Sequence, residues 1–111
     1  MIEMLNEQLQ KFNERIQTSE KLQQEMEGIE RSILIEVTDN GNYYTYLKNK
    51  HADALKEGSL ENPDIVITSD SVTIKGLINK EISPIKAFLI TKQLKIKASL
   101  EDKLRLRKLF E

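Results

Sequence analysis

His51 is the single imidazole in the sequence, and imidazole is the side chain best suited to moving protons near neutral pH. No serine or carboxylate stands where it would complete a triad, and no His, Asp or Glu grouping has metal-ligand spacing. His51 therefore reads as a surface or strand-edge residue. Glu25 with Glu27, and Glu101 with Asp102, are paired carboxylates, the residue type that acid–base hydrolysis uses. Both pairs fall in helical sequence, where residues one or two apart do not face each other, so solvation accounts for them. Ser69 and Ser71 could act as nucleophiles, yet no base accompanies them and their place before an apolar run marks a helix cap. Gly58 and Gly76 stand alone, outside any phosphate-cradling pattern. Tyr43, Tyr44 and Tyr46, with Lys48 and Lys50, have the residue types of a base-stacking strand. Such a strand needs basic surroundings, and this half of the chain is acidic or neutral, so sheet packing is the better reading. The expectation is a protein that is not an enzyme, needs no cofactor or metal, and binds no nucleic acid.

Apolar residues remain as the candidates for function. The chain has 111 residues, 39% of them hydrophobic and 32% charged, with a net charge of −1 and no cysteine. That size predicts one domain over residues 1–111, able to bury roughly two-thirds of its unfolded surface around one core. Without cysteine there are no disulfides and no thiolate chemistry. Apolar runs such as Ile33 to Ile35 and Ala87 to Ile90 are far too short to span a bilayer. Glu3 and Glu7 interrupt the first turns, so no signal peptide is read there and a cytoplasmic location is expected. Charge is uneven: seven acids among the first thirty residues face three bases, whereas eight bases between Lys86 and Lys108 face Glu101 and Asp102. Lys95 and Lys97 share the wet side of a strand, and Arg105 and Lys108, three apart, share a side of the last helix. This basic end offers a surface for transient contact with an anionic membrane.

The elements that must position these residues follow from periodicity. Ile2, Leu5, Leu9, Phe12 and Ile16 recur at helical steps, and Thr18-Ser19-Glu20 starts a second helix that Gly28 stops. The period then changes to two over Ile33, Ile35 and Val37, giving a strand. Asp39-Asn40-Gly41-Asn42 turns the chain back into a second strand, Tyr43 to Leu47. His51 to Gly58 fits either a third strand or a helical turn. Ile65 to Thr68 is a strand apolar on both faces. Ser69 or Asp70 caps a helix through Val72, Leu77 and Ile78, and Ser83-Pro84 opens another through Ile85, Phe88 and Leu89. Leu94, Ile96 and Ala98 form a last strand before a helix from Leu100 to Phe110, capped near Ser99.

The ordered set in the second half carries a family resemblance. A "DIVIT" strand, an "SDSV" helix start, "NKEISPIKAF" between two helices and "QLKIKAS" before the last amphipathic helix resemble the sterol carrier protein type 2 family. The resemblance implies an α+β fold: a five-stranded, mainly antiparallel sheet with helices packed on one face, enclosing an apolar tunnel. It implies non-catalytic binding or transfer of an apolar ligand such as a fatty acyl or isoprenoid lipid. The corresponding ligand-binding wall comprises Ile35, Leu77, Ile85, Phe88, Leu89, Ile96, Leu104, Leu106 and Phe110. Thr91-Lys92 and Ala98-Ser99 stand where family members often carry glycine, which would narrow the tunnel mouth. The sequence ends at Phe110-Glu111, without the Ser-Lys-Leu-like address of peroxisomal members, which argues against that compartment. The alternative function is a protein-interaction module whose apolar groove docks a partner helix or a second copy, forming a homodimer.

Overall fold

In the computed structural model residues 1–110 are described, with side chains from Met1 to Lys108. The chain runs α1 (Ile2–Thr18), α2 (Glu20–Glu25), β1 (Arg31–Val37), β2 (Gly41–Lys48), β3 (His51–Ala52) and β4 (Lys56–Glu57). It continues through β5 (Ile65–Ser69), α3 (Ser71–Ile78), α4 (Pro84–Leu89), β6 (Lys95–Lys97) and α5 (Leu100–Phe110). The sheet has the order β3-β2-β1-β5-β6, with β4 also paired to β2. The β1–β2, β2–β3, β2–β4 and β5–β6 pairs are antiparallel, and β1–β5 is parallel. The α+β architecture and the mainly antiparallel sheet match the sequence reading.

Six strands appear where five were expected, because the ambiguous segment around His51 to Gly58 divides in two. Asn6 and Asn13 on α1 are the cause. Asn13 donates to the Ala52 carbonyl at 2.9 Å and accepts from the Ala52 amide at 2.8 Å, while Asn6 accepts from the Leu55 amide at 2.7 Å. The Leu55 N–H thus satisfies its hydrogen bond on the helix and leaves the ladder, so pairing with β2 resumes only at Lys56.

Residues directly opposite in a sheet share a face. Ile33, Ile35 and Val37 of β1 therefore lie with Thr45 and Tyr43 of β2 and with Ile65, Ile67 and Ser69 of β5. Helices pack on this face. Beneath α1 and α2, Ile16, Met26, Leu47 and Ala52 are buried, with Leu106 of α5 packed against them. Beside them Val37, Tyr43, Leu55 and Ile74 are buried against Leu5, Leu9 and Ile78. The opposite face carries Leu34, buried between its sheet neighbours Tyr44 and Val66, and an edge-to-face Tyr44–Tyr46 pair at 6.1 Å.

Local chemistry fixes the ends of α3. Asp70 caps it by accepting from the Thr73 amide at 2.7 Å. Asp39, in the β1–β2 turn, accepts from the amide and the hydroxyl of Ser71, tying that turn to the helix. These hydrogen bonds hold both carboxyls below the usual aspartate range, the side-chain bond to Ser71 dominating for Asp39 and that to Thr73 for Asp70. Their contribution is present above the ordinary aspartate pKa and is lost as pH falls through the lowered one. At the other end Glu81 and Ile82 both donate to the Gly76 carbonyl, at 2.8 and 3.0 Å, folding the chain back onto the helix. A Cβ at Gly76 would lie 2.7 Å from Cγ1 of Ile82. Gly76→Ala is accordingly expected to destabilise by about 1 kcal/mol, the low end for overpacking because the Ile82 side chain can turn aside. A thermal melt of the variant compared with the parent checks this.

Candidate functional site

The sheet register assembles an apolar row. Tyr43 pairs with Ile35, Ile35 with Ile67, and Ile67 with Ile96, so four strands contribute one side chain each to the helix-covered face. At the middle of a covered sheet such residues are ordinarily sealed. Here Ile35 and Ile67, on the inner strands β1 and β5, are only half-buried, as is Ile96 on the edge strand β6.

The residues expected to form the ligand wall are placed unequally. Ile35 and Ile96 belong to the row, joined by Ile67, which sequence reasoning passed over. Leu77 of α3, Phe88 of α4 and Leu106 of α5 are half-buried. Ile85, Leu89 and Leu104 are exposed. Leu104 and Leu106 cannot line one wall, since residues two apart on a helix point in nearly opposite directions. Leu106 packs on the core and Leu104 faces water beside Leu100. The side chain of Phe110 lies outside the described residues.

Among the described residues no His, Cys, Asp and Glu group is arranged to hold a metal ion, and no helix is long and apolar enough to cross a membrane. Ser69 is buried with its hydroxyl donating to the Gln93 carbonyl at 2.9 Å, and Ser71 is bound to Asp39, so both hydroxyls serve structure. Tyr43 donates its hydroxyl to Asn40. Two clefts of about 310 Å³ lie elsewhere: one at the α1–α2 corner lined by Arg15, Lys21, Glu25 and Lys108 among others, one between Met26–Glu30 and Asn49–Lys50.

The free basic side expected of Arg105 and Lys108 is corrected by their partners. Arg105 is mostly buried and its Nη1 lies 2.6 Å from Asp102, which also accepts from Nε of Arg31 at 2.9 Å. Lys108 reaches Glu25 at 3.0 Å. Both cations tie α5 to the body of the fold. Lys95 and Lys97 are exposed and lie on the face opposite the row, as their alternation with Ile96 requires.

The family model described as the SCP-2 sterol transfer family matches residues 9–111. No curated protein matches the chain significantly. Among solved structures, the sterol carrier protein domain 2 of Helicoverpa armigera is similar with a TM-score of 0.65 at 17% identity, covering 96% of this chain and 85% of that one. Palmitated SCP2L2 from Aedes aegypti gives a TM-score of 0.65 at 13% identity, covering 98% of this chain and 93% of that one. The stereoselective inverting sec-alkylsulfatase Pisa1 from Pseudomonas sp. gives 0.59 at 15% identity over 78% of this chain. The chain spans only 13% of that enzyme's length. At these identities the likeness is one of fold.

Proposed function

The chain belongs to the SCP-2 sterol transfer family, and from that premise we propose that it is a non-catalytic, single-domain cytoplasmic carrier of an apolar lipid. The ligand lies on the row formed by Ile35, Ile67 and Ile96, with Leu77, Phe88 and Leu106 of the helices around it. The observation that supports this reading is the half-exposure of Ile35 and Ile67 on inner strands of a face the helices otherwise cover. Leaving apolar area in contact with water costs about 25 cal/mol per Å². A folded chain carries that cost readily when a ligand covers the area for part of its life. A fatty acyl chain is the first ligand to test, because the similar Aedes aegypti protein was solved in a palmitated form. An isoprenoid chain has the same chemistry and is the second. No residue is assigned to catalysis, and the sulfatase likeness carries no activity to this chain.

Phe88 is the reporter. The sequence contains no tryptophan, so Phe88→Trp introduces a single, clean fluorophore on the inner side of α4. Titration with palmitate and with a farnesyl alcohol is expected to give a saturable blue shift, while a native mass spectrum of the purified protein shows a bound lipid. A fluorescence signal unmoved by either ligand, in a variant with an unchanged melting temperature, would remove the carrier reading. A dimer without lipid in the mass spectrum would favour the interaction module instead.

A further inference from the structure

At 100° per residue, Ile85, Leu89, Lys86 and Ile90 fall on one arc of α4 and its C-cap, roughly 140° wide. Ala87 and Phe88 fall on the other side. Burial follows this division: Ala87 is 0% exposed and Phe88 half-buried, whereas Ile85, Leu89 and Ile90 are 37%, 51% and 70% exposed. Three large aliphatics are thus turned outward on a six-residue helix and its C-cap. The segment from Lys80 to Lys97 also carries Lys86, Lys92 and Lys95 against the single acid Glu81, and all six of these charged side chains are exposed. Among the described residues the ion pairs engage Lys11, Arg31, Arg105 and Lys108, and none engages these lysines. The following strand, β6, is an outer edge of the sheet, so nothing of the sheet lies beyond it.

Aliphatic side chains flanked by uncommitted lysines complement one partner chemistry, the interface of an anionic bilayer, where acyl tails meet acidic headgroups. We infer that the outer arc of α4, with Lys86 and Lys92, is the surface by which this protein docks on an anionic lipid membrane. Phe88 lies on the opposite side of the same short helix, turned away from this surface. The inference rests on the carrier reading for its purpose but not for its chemistry.

The test uses the full chain and flotation with phosphatidylcholine vesicles, with and without phosphatidylserine. Each lysine near an anionic surface is worth about fivefold in partitioning, so Lys86→Ala with Lys92→Ala should weaken binding to the serine-containing vesicles by about 25-fold. Leu89→Ser with Ile90→Ser should weaken binding to those vesicles by at least about tenfold. Raising the salt should erase the effect of the lysine pair, because the Debye length shrinks to about 3 Å at 1 M, and leave that of the aliphatic pair. Palmitate titration of the same variants carrying Phe88→Trp separates the two readings. Vesicle binding kept in every variant overturns the surface while leaving the carrier intact. Vesicle binding lost as expected, with no palmitate binding in the parent, upholds the surface and removes the carrier. A parent that is a dimer in the native mass spectrum and a monomer after Leu89→Ser with Ile90→Ser would assign the arc to a second copy and overturn the inference.

Discussion

Asp102→Ala is expected to cost about 3 kcal/mol of stability. The Asp102 carboxylate is the meeting point of α5 and β1. It accepts from Arg31 Nε through both oxygens, at 2.9 and 3.1 Å, and from Arg105 Nη1 at 2.6 Å. Its residue is 4% exposed, and the two arginine side chains are less than a third exposed. Removing it leaves two partly buried guanidinium groups without their carboxylate, and breaking a buried pair costs about 3–5 kcal/mol. The lower end applies because both arginines retain some access to water. The pairing is also imperfect. Among the described residues Nε of Arg105 is buried without a hydrogen-bond partner, so part of the desolvation cost is already present in the parent. Glu25→Ala provides the scale. It breaks the exposed pair with Lys108 and should cost under about 1 kcal/mol. Urea midpoints for the two variants decide the matter, since a native domain has only about 5–15 kcal/mol in all. Equal midpoints would show that the Asp102 pairs hold α5 no more strongly than the exposed Glu25–Lys108 pair does.

That carboxylate marks where sequence reading stops. The helix start near Ser99 is legible, and Ser99 indeed accepts from the Asp102 amide at 3.1 Å. Spacing along α5 treats Asp102 as one of two solvated acids beside Glu101. Its actual partner Arg31 lies 71 residues earlier, and Glu25 lies 83 residues before Lys108. Contacts of that span depend on how helices lie across the sheet, which local periodicity does not encode. The elements themselves were legible because each has one strong signal: the helical stripe of α1, the alternation of β1, the Asp70 cap, the Ser83-Pro84 start. Where two signals were balanced, the tertiary structure decided. Ile65-Val66-Ile67 is apolar on both faces, so alternation alone cannot say which residues look inward. The parallel register with β1 puts Ile67 between Ile35 and Ile96. The segment from His51 to Gly58 was balanced between strand and helix because its decisive hydrogen bonds come from Asn6 and Asn13 on α1.

Ile67 also offers the sharpest test of whether the centre of the sheet is hollow. Ile67→Trp adds a large aromatic to the middle of the apolar row. If the core were filled there, the extra atoms would force neighbouring side chains off their rotamers and destabilise by about 1–3 kcal/mol. Ligand binding would then be lost only as far as folding is lost. With space open above the row the signs separate. The indole buries area that now touches water, at about 25 cal/mol per Å², so the melting temperature should hold or rise. The same ring occupies the volume an acyl chain needs, so palmitate affinity should fall at least tenfold, a change of about 1.4 kcal/mol. Ile67→Val is the control, removing one methylene and expected to cost about 1 kcal/mol while leaving the ligand's space intact. Stability and affinity moving in opposite directions on tryptophan substitution is a result that a close-packed core cannot give. Both falling together would mean that Ile67 is ordinary core, and the carrier would then have to hold its ligand elsewhere.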